Sequence, residues 1–118
     1  MKRFAQAIDL VDDPAMIEEY ERAHRAVWPE VEGGLRAIGI RRMHIWRLGA
    51  RLFMQCEAED GFDPVRDYQR YAEDPRTRSW DELMRRFQRP APGARAGEWW
   101  ASMTEVYALD AGDGSAGA

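Results

Sequence analysis

Over residues 2–9 apolar and polar positions alternate, with Phe4, Gln6 and Ile8 on one face, and this predicts a strand. The period then lengthens. Ala15, Met16, Tyr20, Ala23, Val27 and Val31 recur at helical spacing behind Asp12-Asp13-Pro14, an acidic N-cap with proline in the first turn. Proline disfavours helix at the residue before it, so this helix is expected to kink or break near Trp28-Pro29, resume to about Ile38 and stop at Gly39. Alternation returns over 40–48, read with Ile40, Arg42, His44, Trp46 and Leu48 on one face and Arg41, Met43, Ile45 and Arg47 on the other. Gly49-Ala50 makes a tight turn into a third strand over 51–58, which completes a hairpin. Asp63-Pro64 opens a helix through Val65, Tyr68 and Tyr71, and a second helix over about 75–88 carries Trp80, Leu83, Met84 and Phe87. A Pro- and Gly-rich loop over 89–97 leads to a last strand over 99–109.

The predicted order is β-α-β-β-α-β, the split βαβ or ferredoxin-like sandwich, an α+β fold. It occupies a single domain over 1–110, followed by a small, flexible C-terminal tail over 111–118. Helices cover one face of such an antiparallel sheet and leave the other open. That open face must be lined for a ligand or paired with another subunit, and domains of this type commonly close face to face into a dimeric α/β barrel. A homodimer is therefore expected.

Composition narrows the function classes. A chain of 118 residues that is 45% hydrophobic and 32% charged suits one ordinary folded domain. A net charge of −4 offers no footprint for nucleic acid or anionic lipid. No apolar run approaches the roughly 18–20 residues that span a bilayer, and residues 1–9 lack the apolar core of a signal peptide. Cys56 is the single cysteine, and a structural metal site needs more ligands than two histidines supply. The expected compartment is the cytoplasm, with no membrane or nucleic-acid partner.

The candidate chemistry sits in Tyr20-Glu21-Arg22-Ala23-His24, followed one turn later by Trp28-Pro29. Tyr20 and His24 are four residues apart and project from one helix face. Imidazole both gives and takes a proton near neutrality, and a phenol and an indole beside it suit a small polar ligand with an apolar face. The same residues also suit a plain core in which His24 caps a turn. Five tryptophans are a heavy load for so short a chain, and tryptophan serves sugar binding, core and interface alike.

Glu19-Tyr20 with His24 and Val27-Trp28-Pro29-Glu30 resembles the N-terminal signature of the L-rhamnose mutarotase family. The resemblance continues through Ile45-Trp46-Arg47-Leu48-Gly49 with Arg51-Leu52-Phe53-Met54. It extends through Trp80-Asp81-Glu82-Leu83-Met84 with Phe87-Gln88, and ends at Pro92-Gly93-Ala94 with Gly97-Glu98-Trp99. It implies a dimeric barrel that interconverts the α and β anomers of a 6-deoxy sugar, a small monosaccharide, with no metal and no cofactor. By position, His24 falls on the family's catalytic proton donor and Tyr20 on a sugar-contacting tyrosine. Two adjacent sugar-contacting tryptophans of the rhamnose-specific branch align with Ser79 and Trp80, and a further tyrosine of that branch aligns with Met43. The strand over 51–54 and the helix around Trp80 look more like the L-fucose branch, in which the position of His44 is often acidic. The expected substrate is accordingly L-fucose, with L-rhamnose next.

Mutarotation opens a hemiacetal: a base takes the anomeric proton, an acid protonates the ring oxygen, and the ring recloses on the other face of C1. His24 is the expected catalytic residue. Tyr20, His44, Trp46, Trp80 and Trp28 are the expected substrate-binding residues, with Trp80 stacking on the apolar sugar face. For His44 a second acid–base role and a sheet-edge hydrogen bond are both open; Trp28 also suits packing of the kink, and Asp81 suits a cap or arginine pair as well as a ligand contact. Two other function classes fit the fold: a cofactor-free monooxygenase on the same barrel, and a non-catalytic binding dimer.

Overall fold

Asp13, Asp63 and Asp74 each precede a proline, and each starts a helix in the computed structural model, which describes residues 1–109. The residue before proline is held extended, so its carboxylate is free to turn back onto the orphan N–H groups of the first turn. Asp13 accepts from Ala15 and Met16 at 2.9 and 3.2 Å, Asp63 from Val65 and Arg66 at 2.9 and 3.4 Å, and Asp74 from Arg76 and Thr77 at 2.7 and 3.4 Å. The element order is β1 (Lys2–Leu10), α1 (Pro14–His24), α2 (Pro29–Ala37), β2 (Ile40–Leu48), β3 (Arg51–Ala58), α3 (Pro64–Ala72), α4 (Pro75–Arg85), β4 (Gln88–Arg89) and β5 (Ala101–Ser102). The sequence around Trp28-Pro29 breaks the helix outright: Trp28 is extended, with φ −61° and ψ 136°, and α2 begins at Pro29.

The sheet is antiparallel with order β2-β3-β1-β4, and β5 also pairs with β1. This is the ferredoxin-like arrangement that the alternation predicts. Gln6 and Ile45 both pair with Met54, and Ile8 pairs with Leu52, which lines those side chains up beneath the helices. One core joins Ile8, Leu10, Leu52 and Ala58 of the sheet to Tyr20, Val31, Tyr71, Trp80 and Met84 of the helices. Gly34 lets α2 settle closely on its neighbours: a Cβ there would lie 3.1 Å from Thr77 Cγ2 and 3.2 Å from Tyr71 Cδ1. Within α3, Asp67 is 1% exposed and accepts from Asp63 N, Arg66 and Arg70 at 2.8–2.9 Å. The Arg66 guanidinium and the Asp63 amide hold its carboxyl well below the usual carboxylate range.

Three expectations are corrected. Arg41 is a β-bulge: Ile40 pairs with Ala58 and Arg42 with Glu57, so Ile40 shares the helix-side face with Met43 and Ile45 rather than the face of His44 and Trp46. The helix over 75–88 ends at Arg85, and Gln88 belongs to β4. The last strand, expected over 99–109, reduces to the two-residue β5, and a separate two-residue strand, β4, forms at Gln88–Arg89. Pro90 and Pro92 cannot donate to a ladder, and the chain returns to β1 only at Ala101. Beyond it, Met103 N donates to Ala5 O at 2.9 Å and Glu105 pairs with Arg3 at 2.9 Å, without a regular ladder. The tail expected over 111–118 lies outside the described residues.

Candidate active site

Between the helices and the inner sheet face lies a cavity of about 710 Å³. Tyr20 and His24 enter it from α1, Tyr68 and Tyr71 from α3, and Trp80 and Asp81 from α4. The helical i,i+4 spacing sets the Tyr20 and His24 rings 4.3 Å apart, and His24 also meets Trp80 edge-on at 5.5 Å. Trp28 meets Trp80 edge-on at 5.2 Å and carries the Arg76 guanidinium 4.1 Å above its ring. The broken helix thus builds one wall of the cavity from aromatic rings.

The imidazole is oriented by the backbone. His24 Nδ1 lies 2.9 Å from the Tyr20 carbonyl oxygen, which can only accept, so Nδ1 carries the hydrogen and Nε2 is left to act on a ligand. Burial pushes the His24 pKa down from its ordinary value, against an opposing pull from that carbonyl. Tyr20, 3% exposed, is pushed up to about 12 by burial and stays a neutral phenol. A relay fixes its hydroxyl: Trp99 Nε1 donates to Gln88 Oε1 at 2.9 Å, which turns Gln88 Nε2 toward the Tyr20 hydroxyl oxygen at 3.5 Å. Tyr20 is then an acceptor from Gln88 and keeps its own hydrogen for another partner. Burial raises Asp81 to about 6, with Arg85 acting against it. The buried Tyr68 hydroxyl has no hydrogen-bond partner.

Of the residues singled out in the sequence, Tyr20, His24 and Trp80 meet in the cavity and Trp28 supports them. His44 and Trp46 do not join them. They stack at 5.7 Å on the outer face of β2, where Trp46 is 53% exposed, so the sheet stands between them and His24. Gln88, Tyr68 and Trp99 were not singled out as ligand contacts. The helix predicted over about 75–88 puts Gln88 at its end, and nothing local marks a core-like tyrosine or a loop tryptophan as facing a cavity. Among the described residues, no group of three or more His, Cys, Asp or Glu side chains gathers where it could hold a metal ion. No described helix is long and apolar enough to cross a membrane.

The family described as L-rhamnose mutarotase matches residues 3–109. An L-fucose mutarotase of Xanthomonas campestris pv. campestris is 42% identical over 111 residues, covering 92% of this chain and 89% of that protein. A UPF0734 protein of Dictyostelium discoideum is 49% identical over 113 residues, covering 92% and 90%. Among solved structures, an L-rhamnose mutarotase from Formosa agariphila superposes with a TM-score of 0.70 at 18% identity, covering 93% of this chain and 100% of that one. Tetracenomycin F2 cyclase from Streptomyces glaucescens superposes with 0.67 at 21% identity, covering 94% and 99%. At such identities the two structures speak for the shared fold alone.

Proposed function

This chain belongs to the L-rhamnose mutarotase family, and from that premise we propose that it interconverts the α and β anomers of a 6-deoxy-L-hexose, L-fucose ahead of L-rhamnose, by cofactor-independent acid–base ring opening. The observation that carries the reading is the His24 imidazole, tied through Nδ1 to the Tyr20 carbonyl and free at Nε2, in a cavity walled by Trp80. A neutral Nε2 accepts the anomeric proton as the C1–O5 bond opens, its electron pair staying on the ring oxygen, which takes a proton from an acid. The imidazolium gives its proton back when the ring closes and the ring oxygen releases its own. One well-placed group of this kind contributes about 10²–10⁴-fold, enough to matter for a reaction that already runs slowly in water. The Tyr20 hydroxyl holds a sugar hydroxyl, and the Trp80 indole lies against the apolar sugar face. The preference for L-fucose is supported by the L-fucose mutarotase relative and by Ser79 and Met43, which stand where the rhamnose-specific branch has an aromatic ring and a phenol.

The working unit is a homodimer closed through the outer sheet face. Trp46 and Leu48, 53% and 74% exposed there, and Val106 and Tyr107, 92% and 75% exposed on the segment after β5, support that reading. His44 and Trp46 then meet the second copy, whichever sugar is bound. Saturation-transfer NMR on equilibrated L-fucose and L-rhamnose tests the substrate. Faster α/β exchange with L-fucose than with L-rhamnose is expected, and the reverse order would overturn the preference.

A further inference from the structure

Ring opening moves two protons, one off the anomeric hydroxyl and one onto the ring oxygen, and His24 accounts for one of them. We propose that the Asp81 carboxyl is the second proton-transfer group, acting with His24 on a sugar in the same cavity. The inference rests on the mutarotase reading of that cavity.

Placement and lack of commitment single Asp81 out. Trp80, Asp81, Met84 and Arg85 form the cavity-facing stripe of α4, and Trp80 is the residue packed against His24. The other aspartates that α3 and α4 rely on are occupied: Asp63 and Asp74 cap helices, and Asp67 is held by three donors. No described residue hydrogen-bonds or ion-pairs with Asp81. Arg85, one turn on, acts on it only through space and lies with its guanidinium 4.9 Å above the Trp99 ring. The buried Tyr68 hydroxyl is also partnerless, and a charge on Asp81 adds to burial in pushing its pKa up. A half-buried carboxyl and a buried phenol left without partners in one cavity suit a polyhydroxylated ligand that supplies them.

The groups that share its field are Tyr68 and Tyr71 of α3 and Arg85 of its own helix. Elsewhere around the cavity stand His24 of α1, Glu32 and Arg36 of α2, and Arg41 and Arg42 of β2. Burial is the largest influence and lifts Asp81 to about 6, while burial lowers His24. The two titrations therefore approach one another, and the working state is the one in which one of the two groups holds a proton and the other does not. In that state the base takes the anomeric proton, C1–O5 breaks with its electron pair on the ring oxygen, and the acid protonates that oxygen. Rotation about C1–C2 and the reverse transfers give the other anomer, with no net proton gained or lost. Either group fills either role.

The test is anomer exchange by the full chain on L-fucose and L-rhamnose from about pH 5 to about pH 9. The wild type should show a bell, falling at low pH where both groups are protonated and at high pH where neither is. Asp81→Asn should lower kcat about 10²-fold and leave a single-limbed profile, with KM changed less than about threefold. Asp81→Glu should restore part of the rate with a shifted limb, and this variant decides the matter if Asp81→Asn does not fold. A bell that survives in Asp81→Asn, or a loss confined to KM, overturns the inference while leaving the mutarotase reading intact. A wild type inert on both sugars overturns the two together.

Discussion

At the scale of single residues, one hydrogen bond decides what His24 does. Its Nδ1 is committed to the Tyr20 carbonyl, so Nε2 faces the cavity as a base in the neutral ring. The i,i+4 spacing of Tyr20 and His24 was legible in the sequence because helix geometry alone sets it. The relay from Trp99 through Gln88 to Tyr20 was not, because it joins residues 68 positions apart and no periodicity relates them. That relay makes its own prediction. Tyr20→Phe removes the acceptor of Gln88 Nε2 in a buried site, which should cost about 1 kcal/mol in urea unfolding and raise KM several-fold with kcat little changed. Unchanged stability and KM would show the 3.5 Å contact and the hydroxyl to be idle.

At the scale of elements, the sequence was read well where a local device dictates structure. Three Asp-Pro pairs start three helices, and Trp28-Pro29 breaks one. The bulge at Arg41 escapes a plain alternation, although the sequence carries its signal. Ile40 is apolar on one parity and Met43 and Ile45 on the other, and such a change of parity within one strand marks an inserted residue. The alternation over 99–109 predicts a full strand because pattern alone says nothing of whether a partner strand is within reach. The contact of α2 with α3 and α4 was equally invisible, since Gly33-Gly34 carries no side-chain pattern. Gly34→Val should force Thr77 and Tyr71 apart and destabilise the fold by about 1–3 kcal/mol, measured by chemical denaturation. Gly33→Val, with open space around its Cβ position, should be neutral or slightly stabilising, because valine has the higher helix propensity.

At the scale of the whole molecule, the sheet divides the candidate residues into two sets. The inner set, around His24, makes a cavity; the outer set, around Trp46, makes a surface with apolar rings exposed to water. Both readings of the open face in a ferredoxin-like sheet, ligand site and subunit contact, were available from the sequence. Only the pairing register assigns each residue to its side. If the outer face closes a dimer, sedimentation should give twice the mass of the 13.6 kDa chain, and Trp46→Glu should shift it toward monomer. A wild type that sediments as a monomer at every concentration would refute the dimer. The account as a whole stands on His24. Saturation-transfer exchange between the anomers of L-fucose and of L-rhamnose, measured with wild type and with His24→Ala of matching circular dichroism, tests it most directly. The expected result is acceleration by the wild type and a loss of about 10²-fold or more in the variant. Equal acceleration by the two proteins, or none by either, would contradict it.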